Sequence, residues 1–364
     1  MARESLLTDF HRSNGARFHE AGGWLLPSRF GDPGLEYHAV RSNVGLIDLS
    51  HRALLQFTGP DRLSFLQGML SNDLRALQPF EGQQAAILTQ QGKIIADVRV
   101  LCAMNSFYLD FWANLKEKVV AHLNRYLVAD EVEIADRSDE YAILTVQGPR
   151  SAELLQILAR EFTLPDRPKQ HAMVQIEGAG VCVVRDSEVG EAGYDLIIPV
   201  ASLIDIAGVL TNAGKPFSVA WIGAEAENIL RVEAGTPRYG IDFNEDNLLL
   251  EVGLDNAVSF SKGCYLGQEV VERIRSRGHV NRKLCGLWLD GETAVAAGDK
   301  ITVERKENGV VTSSVVSPGL GRPLALGYVG KEHWAPGTEV SVEGKEMRRR
   351  ATVTALPFRS SSSS

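Results

Sequence analysis

Residues 262–269, KGCYLGQE, set a single thiol in a polar loop flanked by glycines. Cys264 is the natural nucleophile or sulfur ligand of this chain. Beyond it, Val270, Val271 and Ile274 recur at helical spacing among Glu269, Glu272, Arg273 and Arg275, so the thiol is expected at or just before a helix N-terminus. A helix dipole and Lys262, two residues upstream, would both favour a thiolate there. Gly263 and Gly267 remove bulk on either side of the sulfur, and Tyr265, Gln268 and Glu269 complete the loop that supports it. The competing reading is a half-buried thiol in an ordinary loop.

Four more residues have types suited to a ligand. Glu191, in the glycine turn GEAGYD of residues 190–195, offers a carboxylate to a ligand edge with two parallel N–H donors, as a pterin ring has, and Tyr194 would add ring contact. Otherwise Glu191 is a solvated residue of a hairpin. Arg231, in ILRVEAG, presents a guanidinium fork that suits a carboxylate such as the glutamyl tail of a folate. Glu227 stands four residues before it on the same predicted helix, and an i,i+4 ion pair would equally account for the charge. Asp97 follows the Gly92-Lys93 turn inside an apolar strand pattern. Next to a ligand amine it could orient or exchange a proton; the alternative is an outward-facing strand residue. Asn72 and Asp73 fit a turn that closes a helix.

These groups must be positioned by elements that the pattern also outlines. Residues 54–57 and 144–146 read as strands, each followed by Gly-Pro and a helix, with Leu63, Leu66, Met69 and Leu70 on the first apolar face and Leu154, Leu155 and Leu158 on the second. Between these related units lie predicted strands at 85–89, 94–101 and 107–112 and a helix near 115–127. Strands at 181–186 and 194–199 and helices at 202–210 and 224–234 follow. From Leu284 the chain turns to short strands punctuated by Asn308-Gly309, Pro318-Gly319 and Pro336-Gly337, the text of a small barrel or sandwich. The expectation is therefore an α+β region over residues 1–280, a β domain over 281–357 with the boundary near His279 to Lys283, and a disordered tail at 358–364.

With 364 residues and 44% hydrophobic composition, the chain can bury more than one core. Its 38 basic against 46 acidic residues give a net charge of −8, which argues against a stable nucleic-acid partner. The cationic stretches Arg273 to Lys283 and Arg348 to Arg350 read as solvated faces. Cys102, Cys182, Cys264 and Cys285 are far apart and show no metal-ligand spacing, so neither a disulfide framework nor a metal site is expected. No segment resembles a signal peptide or membrane span, which points to the cytoplasm or another reducing compartment such as the mitochondrial matrix.

Several motifs carry a family resemblance. GGWLLP at 22–27, EYHAVRSNVGLIDLSH at 36–51, TGPDRLSFLQ, LSNDL, GEAGYD, LRVEAGTPRYGIDF and the thiol octet together resemble the aminomethyltransferase (T-protein) of the glycine cleavage system and its relatives, the YgfZ-type folate-binding proteins. That resemblance covers most of residues 15–285. It implies three lobes around a central opening for tetrahydrofolate or a one-carbon derivative, the last lobe a β-barrel, with Glu191 toward the pterin and Arg231 toward the folate tail. Aminomethyltransferases carry a Gly-Gly turn and an adjacent acidic pair where this chain has Gly92-Lys93 and Ala96-Asp97. They also have a tyrosine where it reads Gln83-Gln84-Ala85-Ala86. The octet instead resembles the YgfZ type, so the first expectation is a folate-binding factor that supports iron–sulfur client proteins, with Cys264 reactive or cluster-contacting. One alternative is aminomethyl transfer from a lipoyl carrier protein, with Asp97 catalytic; another is a folate-free scaffold.

Overall fold

The computed structural model describes residues 2–159, 162–278, 280–345 and 348–359, so His279 and the serines of 360–364 lie outside the described residues. Packing divides the chain into two units. The first takes residues up to Ile87, 96–187 and 191–227; the second takes 88–95, 188–190 and everything from Asn228 onward.

In the first unit a six-stranded sheet runs in the order His171–Ile176, Ala179–Arg185, Gly193–Pro199, Tyr141–Gln147, Gly45–Asp48, Ala220–Trp221. Every pair is antiparallel except the last. One face carries Leu46, Leu144, Val146, Leu196 and Ile198. Leu154 and Leu155 of helix Ser151–Leu158 and Leu203, Ile206 and Leu210 of helix Leu203–Ala213 join the same buried cluster. The predicted Gly-Pro units are both present, as strand Arg52–Thr58 with helix Arg62–Met69 and strand Tyr141–Gln147 with helix Ser151–Leu158. Strand Gly45–Asp48 is buried along its whole length, so its continuous apolar text shows no alternation to mark it as a strand.

A five-stranded sheet has the order Gly82–Leu88, Ile94–Cys102, Phe107–Trp112, Arg52–Thr58, Glu133–Asp136. Its register sets Arg99 opposite Asp110 and Arg52 opposite Trp112. Asp97 lies two residues before Arg99 and so shares its face.

The second unit contains a closed barrel of six strands, Arg282–Leu289, Arg322–Gly330, Lys306–Ser317, Lys300–Val303, Glu339–Glu343 and Arg348–Thr354. Leu287, Leu289, Ile301, Val311, Val329, Val342 and Val353 fill it. The barrel strands begin at Arg282, and packing carries the chain from Asn228 onward with them. The Phe358 amide donates to the Glu233 carbonyl, and the Glu233 carboxylate accepts from Ser317 Oγ. The expected tail at 358–364 is corrected at its start. Phe358 is buried, with its ring edge-on to Trp288 at 4.9 Å, because an aromatic side chain has more to gain from the barrel wall than from water. No helix among the described residues is long and apolar enough to cross a membrane.

Candidate functional site

Strand Ile94–Cys102 carries Asp97, a partly buried residue, on the face that Arg99 also occupies. The Oδ1 atom of Asp97 is buried and has no hydrogen-bond partner among the described residues. Burial pushes this carboxyl above its usual proton affinity and the charge of Asp110 adds to the rise, while the charge of Arg52 works in the opposite direction. An unpartnered buried carboxylate oxygen is costly in a folded protein unless something else meets it. Asp97 is thus suited to receive an N–H or hold a proton.

Beside it lies an ion-pair network that reading the sequence missed. Arg99, 3% exposed, pairs with Asp110, with Asp195, and with Asp186 at 2.6 Å. Lys169 closes on Asp186 from its other side, and Arg52 Nε donates to Asp110 Oδ1 at 2.5 Å. For Asp186 burial opposes ionisation, but Lys169 and Arg99 together hold it far below the usual carboxylate range. Asp195 has no such second cation, and burial leaves it above that range. The available signal was charge inside apolar strand text: Arg99 in IIADVRVLC, Asp110 in FYLDFW and Asp195 in GYDLIIP.

The same network orders the turn that holds Glu191. Asp195 ties strand Gly193–Pro199 to Arg99, and Glu191 stands two residues before that strand. Its Oε1 accepts from Arg41 Nη1 at 2.9 Å, with both side chains nearly buried at 11% and 6% exposure. Arg41 comes from the last turn of helix Pro33–Ser42, where the helix dipole favours a cation. Glu191 is therefore a braced carboxylate within a hairpin. Tyr194 is buried, and the Arg185 guanidinium lies 4.9 Å from its ring centre.

Arg231 and Cys264 belong to the second unit. The expectation that Arg231 offers a free fork to a ligand is corrected. Its residue is 1% exposed, and its guanidinium pairs with Asp242 and donates to Ser313 Oγ at 2.6 Å, to the Thr236 carbonyl at 3.3 Å and to Asn228 Oδ1 at 2.9 Å. Asp242, itself buried, also accepts from Thr312 and Ser313 hydroxyls and from the Arg238 amide. The fork is held by an acid eleven residues further along, a partner that helical spacing cannot reveal.

Cys264 is exposed, whereas the thiols of Cys182 and Cys285 are pushed by burial up to about 12 and about 11. Helix Gln268–Arg277 begins after Gly267, so Cys264 stands in the preceding loop rather than in the first turn. Lys262 is buried with its ammonium 4.9 Å from the centre of the Tyr265 ring. Tyr265 is also buried, its hydroxyl has no partner among the described residues, and burial raises it to about 12. The Gln268 side chain accepts from the Tyr265 amide at 3.3 Å, and Glu269 pairs with Arg273 at 2.5 Å on the helix surface. Gly267 has φ +85°, and a Cβ there would stand 2.6 Å from the Thr89 carbonyl oxygen; one on Gly92, at φ +72°, would stand 2.8 Å from Val270 Cβ. Two glycines therefore let the 89–92 turn close against the helix start. Gly263 faces open space.

Residues 7–262 match the GCVT N-terminal domain, and residues 282–359 match the glycine cleavage T-protein C-terminal barrel domain. An aminomethyltransferase of Rubrobacter xylanophilus is 32% identical over 98% of this chain and 94% of its own length. One from Shouchella clausii is 32% identical over 97% and 96%. The crystal structure of glycine cleavage system aminomethyltransferase T from Bartonella henselae superposes with a TM-score of 0.91 at 24% identity, covering 99% of both chains.

Proposed function

Because the chain belongs to the glycine cleavage T-protein family, we propose that it is a tetrahydrofolate-dependent aminomethyltransferase, with Asp97 as the acid–base group. Relatives that match it end to end carry that name, which favours this reading over the iron–sulfur role expected first. The observation that carries it is the buried Oδ1 of Asp97, which has no hydrogen-bond partner among the described residues.

The family uses tetrahydrofolate. When bound, that cofactor supplies a reduced-pterin amine nitrogen able to accept a one-carbon unit. The residues present fit such a group at Asp97, where an N–H would complete an otherwise orphaned oxygen. Asp97 would orient that nitrogen and hold its proton at Oδ1, burial having raised its proton affinity. Glu191, held by Arg41, would set the pterin edge, whereas Tyr194 packs in the apolar cluster of the first unit with Arg185 over its ring. Arg231, enclosed by Asp242 and Ser313, has its donors taken up inside the second unit and is assigned no contact with the cofactor.

Purified protein given an aminomethylated lipoyl carrier should release ammonia in a tetrahydrofolate-dependent way. Asp97→Asn should slow this about a hundredfold. Silence of the parent protein in that assay would remove the transferase reading. The exposed Cys264 in a buttressed loop favours a second reading, a YgfZ-like role toward iron–sulfur clients. Under it, Cys264→Ser would depress an iron–sulfur enzyme in cells while leaving ammonia release intact.

A further inference from the structure

We infer that Arg52 is a positioning residue for Asp97, fixing from the same face of the sheet how tightly that carboxyl holds a proton. The inference rests on the role just given to Asp97. Register places Arg52 opposite Trp112, and the guanidinium lies 4.9 Å from the centre of that ring. Its Nε donates to Asp110 Oδ1 at 2.5 Å and its Nη2 to the Asp110 carbonyl at 3.3 Å, with the side chain 8% exposed. Two anchors on strand Phe107–Trp112 thus hold the planar fork, so its direction is set by the sheet and not by solvent.

The charges around Asp97 explain why this one matters. Arg99, on the same strand, spends its charge on Asp110, Asp186 and Asp195. Lys169 is engaged with Asp186, and His51 stacks flat on Trp112 at 5.1 Å. Arg52, Arg99 and Lys169 therefore answer Asp110, Asp186 and Asp195, and Asp97 is a fourth acid added to a balanced set. Asp97 and Trp112 each stand two residues beyond the facing pair Arg99 and Asp110, and Arg52 faces Trp112, so Asp97, Trp112 and Arg52 share one face of the sheet; there burial raises Asp97 while the charge of Arg52 restrains it.

The test reads the Asp97 side-chain carboxyl by 13C chemical shift against pH in the folded, folate-free full chain, with Asp97→Asn assigning the signal. Arg52→Met should raise the titration midpoint by about one pH unit, a roughly tenfold gain in proton affinity. Arg52→Lys, which keeps the charge, should stay near the parent. If Arg52→Met does not fold, Arg52→Gln, which keeps a donor for Asp110, carries the same expectation. An unmoved midpoint in a folded neutral variant overturns the inference. A shifted midpoint in a protein that releases no ammonia would keep the inference and discard the transferase reading; an active protein with an unmoved midpoint would do the reverse.

Discussion

Asp97 and Arg231 show how differently two charged groups can be used, one with a single buried oxygen and the other buried whole. Asp97 has a buried oxygen without a hydrogen-bond partner among the described residues, which costs stability unless a donor meets it. Arg231 is the opposite case, since Asp242, Ser313, Thr236 and Asn228 take up its donors. Removing one partner of a buried pair strands the other. Arg231→Ala should accordingly lower unfolding stability in urea by about 3 kcal/mol, with Asp242 left uncompensated. A near-normal urea midpoint combined with a large loss of folate affinity would return Arg231 to the role of direct ligand. The residue types were legible in the sequence, but their partners were not, because Asp242 is eleven positions away and reaches Arg231 only through the folded chain.

At the scale of elements, the N-terminal helix Thr8–Ser13 shows how a short helix is held in place. His11, fully buried among Phe10, Phe30 and Trp221, meets Asp48 Oδ2 at 2.9 Å through Nε2, and Ser5 and Ser50 hydroxyls donate to the same carboxylate. Burial works against ionised Asp48, yet the His11 hydrogen bond and charge, with Ser50 and Ser5, hold its carboxyl below the usual value. A depressed carboxyl contributes stability that is complete above the unfolded value, near 4, and disappears as pH falls through the folded value. Urea unfolding followed from pH 7 into the acid range should show the parent losing this contribution below about pH 4. His11→Ala should be less stable at pH 7 and lose less on acidification; parallel curves would refute the coupling. Periodicity found the central strands and longer helices because apolar spacing is local information. It missed strand Gly45–Asp48, whose two buried faces erase alternation, and the interlock of Gly92 with Gly267, which needs segments far apart in the chain.

For the molecule as a whole, the composition of residues 284–357 announced a β domain, and the barrel is closed, with no free sheet edge. What composition did not announce is that Phe358 joins it. Phe358→Ala should cost about 2 kcal/mol in thermal or urea unfolding and change the fluorescence of Trp288, the ring it meets edge-on. Unchanged stability and emission would mean that the packing seen here contributes nothing.

Hydrophobic period, turn residues and motif spacing are written along the chain, and they carried the α+β region, the barrel and the T-protein superfamily, though not the branch within it. Tertiary structure alone decided which charges cancel: that Arg231 is spent on Asp242, that Glu191 is braced by Arg41, and that Asp97 is left over beside a balanced ion network. The physical reason is that a charge in a low-dielectric interior is defined by its neighbours in space, and those are assembled from distant parts of the chain.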